Sequence, residues 1–113
     1  MKEKIKVMMC PVEREPYMAE MENTLEAFQA AVGGHIECVA ITSDCVLICN
    51  EDGRSMKLPM NNAVSWLIPY GIVGAAVICG VDGEDFGDMP ENGRDMLMRA
   101  CKRMWQLEAK GDG

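Results

Sequence analysis

At the start of the chain Ile5, Val7 and Met9 alternate with Lys4, Lys6 and Met8, a period of two that predicts a strand with one better-buried face. Glu15-Pro16 breaks it, and Tyr17 to Met21 returns as a second strand. Asn23 reads as an N-cap with Glu26 at the third helical position, a capping-box arrangement. Leu25, Phe28 and Val32 follow at helical spacing, so a short helix lays one apolar stripe on the sheet. Gly33 ends that helix, because a left-handed residue there turns the backbone straight into an extended segment.

His35 to Ile41 and Cys45 to Cys49 are rich in β-branched and apolar residues over strand-sized lengths, with Thr42-Ser43-Asp44 between them. They predict two adjacent central strands. Asn50-Glu51-Asp52-Gly53 supplies turn residues, with Gly53 at the positive-φ position and Ser55 to Leu58 pairing back as a hairpin. Leu58 to Asn62 reads as a loop. Ala63 to Ile68 fits either period: Val64, Trp66 and Ile68 suit a strand, and Val64, Leu67 and Ile68 suit a helical turn. Ile72 to Val81 is a strongly apolar strand containing Gly74, and Asp82-Gly83 turns it into Glu84 to Phe86. The longest helix covers Glu91 to Glu108. Leu97, Met98, Cys101, Met104 and Trp105 share one face and Arg99, Lys102, Arg103 and Gln106 the other.

These elements predict an α+β fold, a mostly antiparallel sheet covered on one face by two helices, in the order β-β-α-β-β, further strands, then a C-terminal α. Residues 1–110 are expected to form a single domain and residues 111–113 a disordered tail. A chain of 113 residues can bury roughly 65% of its unfolded surface without staples. Only 5% of it is aromatic while Met occurs eleven times, so aliphatic, thiol and thioether groups must fill the interior.

Charge and cysteine usage then narrow the function classes. Cys10, Cys38, Cys45, Cys49, Cys79 and Cys101 contain no Cys-x-x-Cys pair. The N-terminal segment lacks a signal-peptide core, so reduced thiols in the cytoplasm are expected. No run approaches the ~18 apolar residues of a membrane span. The net charge is −7, with five carboxylates and no cation between residues 82 and 91, and a cation-rich stretch from Arg94 to Lys110. Direct nucleic-acid binding needs a concentrated basic face, which leaves only the last helix as a candidate. As an acidic DNA mimic the chain would have to match on the order of 20 phosphates of duplex over its own width, which −7 does not reach without stacking of copies.

His35 is the sole histidine, and its offset from Cys38 along a strand puts the two on opposite faces. Cys45 and Cys49 share a face but stand roughly 13 Å apart by strand rise, too far to share an ion. Residues 81–88 lack the spacing and closing glutamate of an EF-hand, and neither a phosphate-binding Gly-Lys-Ser/Thr loop nor a Gly-x-Ser-x-Gly elbow occurs. No metal or cofactor is expected. An enzyme would need distant groups such as His35, Glu37 and Asp52 to converge.

The segments Leu25-Glu26-Ala27, Val32 to Glu37, Cys49 to Gly53, Leu58 to Asn61, Gly71 to Gly74 and Gly80 to Phe86, taken in order, resemble a family of small proteins described as domain of unknown function 3846. The likeness covers most of residues 3–90, although the family pattern carries an aromatic residue where this chain has His35. The resemblance implies an accessory protein of a phage or mobile genetic element. It brings no catalytic residues with it.

Together these readings predict a non-enzymatic protein that binds a host protein, such as a defence component. The alternative is a binder of a nucleotide-like small molecule held between two loops, Gly33-Gly34-His35 and Leu58 to Asn62, through glycine amides and asparagine carboxamides. Candidate binding residues are Gly33, Gly34, His35, Glu37, Asn50, Asp52, Pro59, Asn61 and Asn62. On the last helix Arg99, Lys102 and Arg103 are the candidate partner contacts, whether to another protein or to a second copy of the chain.

Overall fold

The computed structural model describes residues 3–110; the predicted tail at 111–113 lies outside them. Six antiparallel strands form one sheet: β1 (Lys4–Cys10), β2 (Tyr17–Glu22), β3 (Ile36–Ala40), β4 (Cys45–Asn50), β5 (Ala76–Asp82) and β6 (Asp85–Gly87). Their order is β2-β1-β5-β4-β3, with β6 also paired to β5. Two helices complete the α+β fold, α1 (Leu25–Val32) and α2 (Arg94–Lys110), with a short 3-10 turn at Ser65–Leu67. Among the described residues no helix is long and apolar enough to cross a membrane.

The central strands explain where the helices sit. In β4 and β5 neighbouring residues are buried in turn, Val46 through Asn50 and Ala76 through Gly80, so both faces of the sheet must be kept from water. Ile5, Val7, Val46, Ile48, Val77 and Cys79 point to one face and pack with Phe28 and Val32 of α1. Met8, Cys10, Leu47, Cys49, Ala76 and Ile78 point to the other, under Cys101 of α2 and Ala63, Val64 and Ile72 of the long loop. The helices therefore lie on opposite faces rather than on the same one. Period-two alternation cannot show this, because a strand buried on both faces reads as a continuous apolar run.

Three local expectations also change. The cap of α1 is Thr24, whose Oγ1 accepts from Ala27 N at 3.1 Å, while the Asn23 side chain donates to the Phe86 carbonyl at 3.0 Å. That bond ties the helix entrance to β6, where Phe28 and Phe86 meet edge to face with centroids 4.9 Å apart. β3 pairs with β4 as expected but stands at the sheet edge. Residues 51–57 wind as successive turns instead of returning as a hairpin strand. The positive φ falls on Lys57, at 60°, and Gly53 is needed for space, since a Cβ there would lie 2.8 Å from a Val73 methyl. Gly33 does end α1 as expected, at φ 82° with its N–H on Gln29 O.

One splice organises the sheet. β5 gives residues Ala76 to Ile78 to β1 and residues Gly80 to Asp82 to β6. Beyond β6 the chain turns onto β1, where Lys6 N donates to Asp88 Oδ1 at 2.9 Å and Met89 N to Lys6 O at 2.8 Å. Asp88 thus fills the gap where β1 leaves β5.

Candidate functional site

The predicted binding residues separate into three places. Asn50 and Asn61 turn inward. Asn50, 4% exposed, donates through Nδ2 to Val32 O at 3.1 Å and accepts at Oδ1 from Asp52 N at 2.8 Å, which fastens the end of α1 to the end of β4. Gly34 lies against this carboxamide, where a Cβ would come within 2.9 Å of Nδ2. Asn61, fully buried, donates to Cys10 O at 2.8 Å and Gly74 O at 2.9 Å and accepts from Ala63 N at 3.2 Å. Carboxamides so engaged hold backbone together rather than read a ligand.

Asn61→Ala is therefore expected to cost roughly 3 kcal/mol, since two buried carbonyls and one N–H lose their partner. Urea unfolding checks this, and an unchanged midpoint would return Asn61 to the list of free binding groups.

The second place is a hollow of about 230 Å³ at the end of β3 and β4, lined by Glu37, Asn50 and Asp52 together with Arg54, Tyr70 and Ile72. Arg54 donates to the carbonyls of Tyr70 and Gly71 and lies over the Tyr70 ring, so its guanidinium closes the loop across the hollow. Gly33, Gly34, His35, Pro59, Asn61 and Asn62 do not line it. Exposed His35 contributes its backbone, whose carbonyl accepts from Glu51 N at 2.8 Å. The Pro59 carbonyl accepts from Gly74 N at 2.8 Å.

The third place is a groove beside α2, of which the sequence reading held Arg103 on the helix but not Trp66 on the opposite wall. A hollow of about 410 Å³ between the 3-10 turn and the first half of α2 is lined by Trp66, Leu67, Arg94, Met96, Leu97 and Ala100. A second, of about 240 Å³, continues along α2 past Trp66, Ala100, Arg103, Met104 and Leu107. The Trp66 indole N–H donates to Ala63 O at 2.7 Å. Ser65 Oγ bridges Asn61 O at 2.6 Å and Ile72 N at 2.9 Å. The ring is held at its polar edge and remains 44% exposed, beside Met96 at 71% and Leu107 at 53%. Of the predicted helix contacts, Arg103 lines this groove, while Arg99 is exposed and Lys102 half-buried outside its lining.

A signal for the groove existed in the chain. α2 carries more apolar residues than its core stripe uses: Leu97, Met98, Cys101 and Trp105 pack inward, while Met96, Ala100, Met104 and Leu107 make a second stripe at helical spacing. Trp105 belongs inside, its indole N–H donating to Val12 O at 2.9 Å.

All six thiols are shifted in the same direction. Burial pushes Cys49 and Cys101 up to about 11 and Cys79 up to about 12. It raises Cys10 further, and it raises Cys38 and Cys45 as well. Burial thus shifts every thiol away from the thiolate that thiol chemistry requires. Among the described residues no group of three His, Cys, Asp or Glu side chains is arranged to hold a metal ion.

A family model described as Domain of unknown function (DUF3846) matches residues 5–102. The chain belongs to this family. No curated protein and no solved structure matches it. The matched span takes in every strand apart from Lys4 at the start of β1, both core faces, the 3-10 turn and the first half of α2, and it stops one residue before Arg103. The far end of the groove, with Arg103, Met104 and Leu107, thus lies beyond the part that the family model describes.

Proposed function

We propose that this protein works by binding, as a non-enzymatic accessory protein of a phage or mobile genetic element, and that it docks a protein of the host cell in the groove between Trp66 and α2. The observation that carries this reading is the exposure of Trp66, Met96 and Leu107 around two neighbouring hollows that both touch Trp66 and Ala100. Large apolar side chains grouped on a surface mark a contact site, and Trp, Met and Arg are the types that interfaces concentrate. The groove suggests the mode of action, and the resemblance noted from the sequence suggests the setting. A small-molecule reading gains less from the geometry, because Asn50 and Asn61 are bonded internally and the two proposed loops do not meet in any of the hollows described above.

The test compares the wild-type protein with Ala100→Glu, which places a carboxylate on the groove floor without removing a buried contact. Tagged at native expression level in a host, the wild type is expected to recover a defined protein at least about tenfold above the variant, with unchanged circular dichroism. Recovery of the same proteins by both forms, or of none above background, overturns the reading.

A further inference from the structure

We infer that the protein pairs with a second copy of itself along the outer edge of β3, antiparallel and centred on Cys38, so that one sheet runs through both copies. This goes beyond the groove reading and does not depend on it. β3 ends the strand order and pairs with β4 alone among the described strands. Glu51 N donates to His35 O at 2.8 Å and Ile41 N to Cys45 O at 3.0 Å. The alternation of an antiparallel ladder therefore bonds Glu37 and Val39 to β4 and turns the N–H and C=O of Ile36, Cys38 and Ala40 outward. Devices that ordinarily blunt such an edge are missing from it: residues 36–40 include neither proline nor lysine and pair with β4 in unbroken register.

A two-fold axis at Cys38 gives each of those groups a bond. Cys38 exchanges N–H and C=O with the partner's Cys38, and Ile36 does so with the partner's Ala40, about six backbone bonds in all. The side chains suit that register. Glu37, the sole charge of the strand, stands across from the partner's Val39, and the two Glu37 residues meet only on the diagonal, about 7–8 Å apart. The opposite edge of the sheet fails the same test. In β2 the bond from Asn23 N to Glu3 O turns the backbone of Met18, Glu20 and Glu22 outward. A pairing that uses all three sets Glu20 directly against the partner's Glu20, and like charges so placed are destabilising. Glu37 and Val39 also line the hollow at the end of β3 and β4, so pairing brings the partner's Val39 beside it. A seam this short buries less than about 1,200 Å², which makes the dimer a weak, concentration-dependent one.

The experiment follows the whole protein by sedimentation velocity in reducing buffer from ~1 to ~300 µM, where the wild type is expected to pass from monomer to dimer. Cys38→Lys sets two like charges face to face on the seam and should weaken the dimer at least about tenfold. Its circular dichroism should not change, because Cys38 is exposed and its N–H points away from β4. Glu37→Gln removes the diagonal repulsion and should tighten the dimer about twofold. A short bismaleimide should link wild-type copies through Cys38 and yield no linked dimer in Cys38→Ser, which sediments as the wild type does. Ala100→Glu should leave the dimer intact, so the groove and the seam are tested apart. A wild type that stays monomeric throughout overturns the inference, as does a dimer indifferent to Cys38→Lys, one loosened by Glu37→Gln or one broken by Ala100→Glu. A cross-link that survives Cys38→Ser overturns it too, and so does growth beyond the dimer, which would join β3 of one copy to β2 of the next in an open chain.

Discussion

Gly80→Ala is expected to yield a protein that loses more than about 3 kcal/mol of stability and melts at least roughly 12 °C lower. A Cβ on Gly80 would lie 2.0 Å from the Asp88 carbonyl oxygen and 3.0 Å from its carbon, and both are backbone atoms that cannot rotate away. To admit one methyl group, β5 has to move off the chain that follows β6. That movement breaks the two bonds by which Asp88 and Met89 hold Lys6, so β1 loses the lower half of its edge. Gly83→Asn is the matched control. Gly83 has φ +64° and open space around its Cβ position, and Asn tolerates that conformation, so a change within about 1 kcal/mol is expected. Thermal denaturation followed by circular dichroism decides the matter: a Gly80→Ala melting temperature close to wild type would mean that the splice is looser than described.

Alkaline pH should unfold the protein through its buried thiols. Cys49, Cys79 and Cys101, raised to between about 11 and 12 from 9.0, and Cys10, raised further, stay protonated in the fold where the unfolded chain has already lost its protons. Above about pH 9 the unfolded state binds fewer protons than the folded one, so stability falls as pH rises. The contribution is fully present below pH 9 and lost progressively toward pH 12. Each such thiol contributes a slope of up to roughly 1.4 kcal/mol per pH unit. The urea midpoint is therefore expected to hold steady from pH 6 to 8 and to drop steeply between pH 9 and 11. Replacing Cys10, Cys79 and Cys101 by Ala lowers the midpoint at pH 7 through lost packing, yet it should flatten the alkaline slope. An equally steep slope in that variant would assign the transition to other groups.

The position of Trp66 shows why part of the site was beyond sequence reasoning. Residues 63–68 fit two periods equally, and the outcome was settled from outside the segment. Ser65 Oγ is caught between Asn61 O and Ile72 N, and Asn61 is itself held by carbonyls of Cys10 and Gly74. No local propensity contains those partners. Glu37 and Asp52, singled out separately as candidate binding residues, do line one hollow, because β3 pairs with β4 and Asp52 follows closely after β4. Asn50 shows a third case: the right residue was singled out, but its carboxamide faces the backbone of α1.

The order and type of most elements were set by the chain alone. Alternation in residues 4–9, the Gly33 stop and the Asp82-Gly83 turn act over a few residues, where steric and hydrogen-bond preferences suffice. Family membership likewise follows from turns and strands read in order. Only the tertiary structure decided that the helices take opposite faces, that Gly80 and Asp88 splice two strands, and that Trp66 opens beside α2. Each of these depends on atoms brought together across dozens of residues, by a core that has to shield both faces of its two central strands from water.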